Sequence, residues 1–288
     1  MKRVLITGAN SYIGTSFEKW ISKWPDNYSV DTVDMIDGSW RDKDFSCFDV
    51  VFHVAGIAHS DISKVKEDKK DLYYKVNTDL TVETAKKAKH EGVKQFIFMS
   101  SAIVYGESAP IGEHKIITFD TIPSPANFYG DSKLKAEQGI IPLSDEVFRT
   151  VILRPPMIYG KGSKGNYPKL AKYAVKLPFF PNIYNKRSVL YVENLCEFVR
   201  LMIDNNESGI FHPQNAEYVS TSYIVKTIAQ AHGKKIRLIN AFKWCLMIIR
   251  SPLINKVFGS FIYDKALSDY KDNYRVFSFE ESIAVTEG

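Results

Sequence analysis

The chain has 288 residues, 45% of them hydrophobic and 25% charged, with a net charge of +5. That is enough apolar material for one large α/β domain, or a domain with a lobe built onto it, without a disulfide or metal staple. The positive surplus is spread along the chain. Its densest run, Lys64-Val-Lys-Glu-Asp-Lys-Lys70, is mixed in sign and reads as a solvated helix face, which excludes a nucleic-acid patch.

Lys2 to Thr7 is predicted as the first strand. Ile13, Phe17, Trp20, Ile21 and Trp24 then share one helical face, and Pro25 stops that helix. Ser29 to Met35 and Asp49 to Ala55 are the next strands, the second of them fully buried by its composition. Leu72, Val76, Leu80, Ala85 and Ala88 mark a long helix ending near Gly92. Gln95 to Ser100 is a strand, Asn127 to Gly139 a helix, and Arg149 to Leu153 another strand. Strands alternating with helices imply a Rossmann-type, doubly wound parallel sheet. After Arg154-Pro-Pro156 prolines recur, at 168, 178, 181, 213 and 252, and the pieces Ser188–Val192, Val199–Ile203 and Tyr223–Ala231 continue among longer loops. We read residues 1–160 as a dinucleotide-binding domain and 161–288 as a smaller C-terminal substrate-binding lobe, with some crossing of the chain.

Cys47, Cys196 and Cys245 are far apart, with no metal-ligand spacing, and read as reduced, buried thiols of a cytoplasmic protein; no metal site is expected. The opening Met1-Lys-Arg runs straight into a strand, and the apolar part is too short for a signal peptide. Trp244-Cys-Leu-Met-Ile-Ile249 is bracketed by Lys243 and Arg250, so it is too short to span a bilayer. A helix packed on the body is expected there, although basic flanks also suit a membrane interface.

The strand–turn–helix start carries Gly8-x-x-Ser11-x-x-Gly14. Gly8 permits the tight turn and Gly14 close helix packing, and amides at the helix N-terminus face a pyrophosphate. The middle glycine of the usual pattern is Ser11, whose Cβ limits the approach of the backbone but whose hydroxyl can donate to a phosphate oxygen. Asp34, 20 residues after Gly14, is placed to accept the adenosine ribose hydroxyls and to repel a 2′-phosphate, so NAD is favoured. Arg41 keeps NADP open. Asp37-Gly38 follows so soon that the usual helix after the second strand is expected to be missing, with Asp37 toward the adenine edge.

Tyr129-Gly-Asp-Ser-Lys133 puts a phenol and an ammonium on one helical face, and Ser101 ends a buried strand 28 residues earlier. A dinucleotide site followed by Ser, Tyr and Lys is equipment for hydride transfer at a carbinol carbon. Free tyrosine, with a pKa near 10, is a poor base. An ammonium at ~4 Å is worth ~4 kcal/mol at an effective dielectric of ~20, on the order of three pKa units at most. Tyr129 is then the acid–base, Lys133 lowers its pKa and holds the nicotinamide ribose, and Ser101 polarises the reacting oxygen. His53 and His59 are read as structural, His53 as hydrogen-bonded to backbone.

These residues resemble the extended short-chain dehydrogenases/reductases, specifically the NAD-dependent nucleotide-sugar epimerase/dehydratase group. Thr7-Gly-Ala-Asn10-Ser11-Tyr12-Ile13-Gly14 resembles its cofactor turn, His53-Val-Ala55-Gly56 its fourth-strand signature, and Asn77-Thr-Asp-Leu-Thr81 its following helix. Ser100-Ser101-Ala102-Ile-Val-Tyr-Gly106 and Tyr129-Gly-Asp-Ser-Lys133 match it most specifically. Leu153-Arg-Pro155-Pro-Met-Ile-Tyr-Gly160 and Arg187-Ser-Val-Leu-Tyr-Val-Glu-Asn-Leu195 resemble its substrate-side segments. The resemblance implies NAD held by Gly8, Asn10 to Gly14, Asp34, Asp37, Gly38, Ala55, Gly56, Asn77, Tyr129, Lys133 and Pro155. It implies a nucleotide sugar held by Ser101, Ala102, Tyr129, Asn166 and Arg187, the last on the diphosphate, and a homodimer paired through helices.

The chain departs from the family at Ser11, Gly56, Phe128 (for proline), Tyr191 and Asn194 (for His and Asp), and Met157 (for the Asn of galactose epimerases). The resemblance points to a 4-epimerase of a UDP-hexose or UDP-N-acetylhexosamine for surface polysaccharide. A 4-keto-6-deoxy-sugar reductase is the alternative, and a non-catalytic cofactor-sensing scaffold is the reading from another class. Ala102-Ile103 lacks the acid pair that a dehydratase needs.

Overall fold

A computed structural model of the chain describes residues 1–57, 70–241 and 252–288. His59, Cys245, the run from Lys64 to Lys69 and the apolar stretch Trp244 to Ile249 lie outside the described residues. The chain divides into two units, one of Met1–Gly106, Pro123–Pro155 and Leu195–Pro213, the other of Glu107–Ile122, Pro156–Asn194 and Gln214–Gly288.

Uninterrupted apolar runs build the first unit. Val4-Leu-Ile6, Val50-Val-Phe52, Phe96-Ile-Phe98 and Val151-Ile-Leu153 are buried at every position, as strands covered on both faces must be. They form a six-stranded parallel sheet of β1 (Lys2–Thr7), β2 (Tyr28–Val33), β3 (Val50–His53), β4 (Gln95–Met99), β5 (Arg149–Leu153) and β6 (Gly209–Phe211). Their spatial order is β6-β5-β4-β3-β1-β2. The predicted Rossmann-type α/β class is therefore the one observed.

Alternate strand residues face opposite ways. Leu5, Val51, Phe96, Phe98 and Ile152 join Ala85 and Ala88 of α3 (Leu80–His90) and Ala136 and Ile140 of α4 (Phe128–Ile140) in one core. On the other face, Phe52 meets Phe17 of α1 (Tyr12–Ile21) edge to face, with ring centroids 5.1 Å apart. Trp20 of α1 donates its indole N–H to Glu197 of α5 (Val192–Asp204) at 3.0 Å.

Between β2 and β3 there is a single 3-10 turn, Ser39–Arg41, and no longer helix, as the early Asp37-Gly38 predicts. β2 is left as an edge strand, half exposed along its length. The sequence reading did not find β6, whose three residues carry no pattern long enough to read.

The long helix after β3 is present but its buried face differs from the one predicted. α2 (Lys70–Tyr74) passes through a π-helical turn, Lys75–Asp79, into α3. Leu72 is 48% exposed, whereas Tyr73, Asn77, Thr81, Thr84, Ala85 and Ala88 are buried. The inward face carries polar residues because they make specific hydrogen bonds near the sheet edge, and the π turn shifts the helical register there.

In the second unit, parallel pairs join Met157–Tyr159 to Val189–Tyr191, Phe179–Pro181 to Arg237–Ile239, and Ile116–Ile117 to Ile262–Tyr263. Helices Tyr167–Lys176 and Thr221–Ala231 flank them. Tyr159 is buried in this unit, with its hydroxyl bonded to Ser282 and Asn215.

Candidate active site

Ligands in open α/β sheets bind beyond the carboxyl ends of the strands, where the strand order reverses. Here that point lies between β1 and β3. Gly8 ends β1 with φ +94°, and a Cβ there would stand 2.9 Å from the Ala55 backbone at the end of β3. The first turn of α1 begins directly after. Its Ncap is Ser11, whose hydroxyl accepts from the Gly14 amide at 3.1 Å. Accepting that bond leaves the hydroxyl proton able to donate, so Ser11 replaces the usual glycine while also capping the helix. Asn10 takes the left-handed conformation, φ +62°, that turns the chain into this cap. The first-turn amides of Tyr12 and Ile13 lie at the positive end of the helix, where an anion is favoured.

Asp34 directly follows β2 and is exposed, with one carboxylate oxygen accepting from the Ile36 amide at 2.8 Å. Asp37 accepts from both the amide (3.0 Å) and the hydroxyl (2.7 Å) of Ser39, which sets the turn at Gly38 and holds its carboxyl below the usual range. Arg41, the residue that kept NADP open, forms a two-pronged pair with Glu83 of α3 at 2.5 and 2.6 Å. A guanidinium committed to a carboxylate is less available to a 2′-phosphate.

Three elements meet around Lys133. Its ammonium donates to the Met99 carbonyl at the end of β4, at 3.0 Å, and lies 4.7 Å from the Phe98 ring centroid. A Cβ on Gly56 would come within 3.2 Å of that nitrogen and 3.0 Å of the Asn77 side-chain oxygen. The glycine that replaces alanine here makes room for this contact. Asn77, fully buried on the π turn, accepts from the Ile57 amide at 2.8 Å and donates to the Ser132 hydroxyl at 3.1 Å. It fastens the segment after β3 to α4.

Ser101 follows β4 and caps the 3-10 turn Ala102–Tyr105. Its hydroxyl stands near enough to the Tyr129 phenol to draw the phenol's pKa down, against its burial. Tyr129 is buried, in the first turn of α4, with Asn127 capping that helix through the Gly130 amide at 3.0 Å. The Ala102 amide donates to the Pro155 carbonyl at 2.9 Å, which ties the β4 and β5 ends together. Ser101, Tyr129, Lys133, Ala102, Pro155, Gly56 and Asn77 thus all lie within the first unit at one sheet edge.

The electrostatics differ from the simple expectation. Burial raises the Tyr129 phenol to about 12, and the Ser101 hydroxyl opposes it only in part. Burial lowers the Lys133 ammonium to about 8, opposed by the Glu137 carboxylate. Burial dominates both shifts and the ammonium is not among the groups that move the phenol, so the protein's own charges leave Tyr129 protonated.

Beneath these residues lies a polar network that the sequence reading missed. Arg154 and Glu137 form a buried ion pair at 2.5 Å, and the Ser100 hydroxyl donates to the same carboxylate. Arg154 also donates to the Tyr105 hydroxyl at 2.6 Å, and that hydroxyl meets His212 Nε2 at 2.7 Å.

His53 is buried with both ring nitrogens engaged, by Thr7 (2.7 Å) and Thr81 (3.0 Å). Its partners are threonine hydroxyls, not the backbone groups expected. Cys196 is buried as expected, whereas Cys47 is only half-buried.

Burial pushes both His53 and His212 down to about 3. The unfolded chain takes up these protons below about pH 6.5 and the folded chain does not, so their share of stability is complete above that pH and is lost as pH falls toward 3. Each ring contributes a slope of up to about 1.4 kcal/mol per pH unit in that window. Urea midpoints measured across it are expected to fall from about pH 6.5 downward. A midpoint flat to pH 5 would contradict neutral buried rings.

In the second unit, Asn166 and Arg187 line one cavity together with Met157, Lys169, Tyr173 and Lys256. Arg187 Nη1 donates to the carbonyls of Lys256, Val257 and Gly259 at 3.0 to 3.3 Å, at the end of the helix Pro252–Phe258. No carboxylate pairs with it among the described residues, and burial lowers its guanidinium to about 10.

A glycine-bearing turn at a Rossmann switch point, with Ser101, Tyr129 and a buried lysine at the same sheet edge, is the arrangement of the short-chain dehydrogenase/reductase class. The family model of the NAD dependent epimerase/dehydratase family matches residues 4–214, and the chain belongs to that family. It is 32% identical over 285 residues to a UDP-glucose 4-epimerase of Vibrio cholerae, covering 90% of this chain and 83% of the relative. It is 26% identical over 254 residues to the N-acetyl-alpha-D-glucosaminyl-diphospho-ditrans,octacis-undecaprenol 4-epimerase of Escherichia coli O157:H7, covering 81% and 73%. Among solved structures, the UDP-glucuronic acid 4-epimerase of Bacillus cereus with NAD superposes with a TM-score of 0.74 at 18% identity, covering 98% of this chain and 96% of that one. No described helix is long and apolar enough to cross a membrane.

Proposed function

We propose that the protein is a nucleotide-sugar 4-epimerase acting on a UDP-hexose or UDP-N-acetylhexosamine, in the cytoplasm, for surface-polysaccharide precursors. The observation that carries this reading is the placing of Ser101, buried Tyr129 and buried Lys133 together at the sheet edge that holds the dinucleotide turn. NAD suits the first unit: at Gly8, Gly14 and Gly56 a Cβ would press on neighbouring atoms, so these glycines let the turn, the first helix and the segment after β3 pack as tightly as a dinucleotide turn requires, and Gly8, Asn10 to Gly14, Asp34, Asp37, Gly38, Ala55, Gly56, Asn77, Tyr129, Lys133 and Pro155 would hold it. When bound, NAD supplies the hydride acceptor and donor of the reaction.

The chain's own residues handle the proton. Tyr129 takes it from the sugar C4 hydroxyl and later returns it, and Ser101 keeps its hydrogen bond to the same oxygen as a carbonyl forms. Lys133 would hold the nicotinamide ribose and, with the oxidised nicotinamide ring, supply the positive charge that favours the phenolate. Asn166 and Arg187 take the diphosphate, where a guanidinium lacking a carboxylate partner suits an anion. We also infer a homodimer, which sedimentation at two concentrations tests.

One observation favours a 4-keto-sugar reductase as the second reading. The single turn between β2 and β3 offers little chain to grip adenosine, which suits an exchangeable cofactor. Denaturing the purified protein and assaying released nucleotide, then offering UDP-GlcNAc, UDP-glucose and a nucleotide-linked 4-keto-6-deoxy sugar, separates them. Retained NAD with interconversion of C4 epimers is expected. A nucleotide-free protein that oxidises NADPH against the keto sugar would replace the epimerase reading by the reductase one. No turnover of any substrate would favour a scaffold.

A further inference from the structure

The positive surplus is not spread evenly after all. Residues 156–192 and 218–263, both in the second unit, contain 14 lysines and arginines and none of the chain's 33 acidic residues. Helix Tyr167–Lys176 buries Tyr167, Leu170 and Ala174 and turns Lys169, Lys172, Tyr173 and Lys176 outward, a spacing that places them on one face. The helix ends at Leu177-Pro178, where the Lys234 ammonium donates to the Val175 carbonyl at 2.7 Å and the Arg237 amide to the Pro178 carbonyl at 3.1 Å. Arg237 then pairs with Phe179 in the two-stranded sheet. Lys176, Leu177, Lys234 and Lys235 consequently rim one shallow recess. Among these cations stand exposed apolar side chains, Tyr173 at 43% and Leu177 at 42%.

We propose that this edge of the second unit, centred on Lys172, Lys176, Lys235 and Arg237, docks on the anionic headgroup surface of a lipid bilayer. Charge complementarity is one part of the argument: neither stretch carries a carboxylate, and Glu287 of the C-terminal helix, which reaches this region, is engaged by Tyr167 and His232, so the cations outnumber it and an anionic leaflet meets net attraction. Side-chain chemistry is the other. Lysines flanking an exposed tyrosine and leucine reach the phosphates while the ring and isobutyl group enter the headgroup–acyl boundary, the arrangement of an interfacial helix. A nucleic-acid surface needs the cations but gains nothing from the leucine. The same helix borders the Arg187 cavity through Lys169 and Tyr173. Seated this way, the protein opens that cavity beside the headgroups, within reach of a sugar diphosphate carried on a membrane lipid. This last consequence rests on the reading of the cavity as a diphosphate site, whereas the docking does not.

The test is sedimentation of the purified full chain with sucrose-loaded vesicles at about 0.1 M NaCl, where charges within ~10 Å still interact. Phosphatidylcholine vesicles containing phosphatidylglycerol are expected to bring the protein down, pure phosphatidylcholine vesicles are not, and high salt should release it. Each basic residue near an anionic leaflet contributes on the order of fivefold to binding. Lys172→Gln, Lys176→Gln and Lys235→Gln together should therefore weaken partition roughly a hundredfold. All three side chains are exposed and none belongs to the candidate site, so melting temperature and turnover of a soluble substrate should not change. Failure to bind anionic vesicles, equal binding to both vesicle types, or a triple variant that binds like the parent would each overturn the proposal. Retention on duplex DNA without retention on vesicles would overturn it too and assign the patch to nucleic acid.

Discussion

Tyr129→Phe is expected to lower kcat by roughly 10²–10⁴-fold, the range spanned by loss of a positioned general acid–base. The substitution removes one oxygen and little else. The ring stays buried against Tyr73, edge to face at 6.2 Å between centroids, and the helix cap at Asn127 is untouched. The phenol is buried and Ser101 favours its ionised form, so loss of its oxygen removes the proton carrier that the site is built around. Nucleotide content after denaturation should match the parent's, because the turn at Gly8 and the cap at Ser11 are independent of the phenol. Ser101→Ala should cost less, since it removes a hydrogen bond to the reacting oxygen rather than the proton carrier. Steady-state epimerisation assays with both variants check the order. A Tyr129→Phe protein retaining a tenth or more of parental kcat would move the proton-carrying role elsewhere.

The parts of this site that could be read in the sequence were those set by local chemistry. A strand, a glycine and a helix start within 14 residues locate the dinucleotide turn, because the turn needs φ > 0 at Gly8 and close packing at Gly14. Tyr129 and Lys133 declare themselves by spacing. Residues whose role depends on distant partners were not legible. The helix after β3 was read from Leu72, Val76, Leu80, Ala85 and Ala88, and Asn77 entered only through the family resemblance. The fold keeps Ala85 and Ala88 inside but turns Leu72 out, because Asn77 is required between Ile57 and Ser132, and Thr81 against His53. Hydropathy cannot anticipate a buried face chosen for hydrogen bonding. Glu137 offered a weak signal, standing four residues beyond Lys133 and eight beyond Tyr129 on the same face of α4. What it lacked was its partner, Arg154, on the segment after β5. The failure to find a helix between β2 and β3 was legible as a deletion, whereas the Arg41–Glu83 pair across that gap was not.

Glu137→Ala is expected to destabilise the fold by about 3–5 kcal/mol, the usual consequence of leaving one partner of a buried ion pair alone. Arg154 is 6% exposed, and its guanidinium would keep its bond to Tyr105 but lose the bidentate carboxylate that balances its charge. At about 2–4 °C per kcal/mol for a chain of this order of size, the melting temperature should fall by on the order of 10 °C. The same carboxylate also holds the Lys133 ammonium up against its burial. Glu137→Gln keeps the shape of the side chain but not the charge, so it should lower the Lys133 pKa further below about 8 and bring the alkaline loss of activity to lower pH. A purely structural carboxylate would shift the melting temperature and leave that limb in place. The double substitution Glu137→Leu, Arg154→Met replaces the pair by apolar groups of similar volume and should recover much of the lost stability, because two charges no longer need solvation inside the protein. It should not recover the alkaline limb, since no charge has been returned to the neighbourhood of Lys133. Thermal melts and pH–rate profiles of the three variants separate these effects. If Glu137→Ala melts within about 2 °C of the parent, the pair is accessible to water and the network does not brace the end of β4.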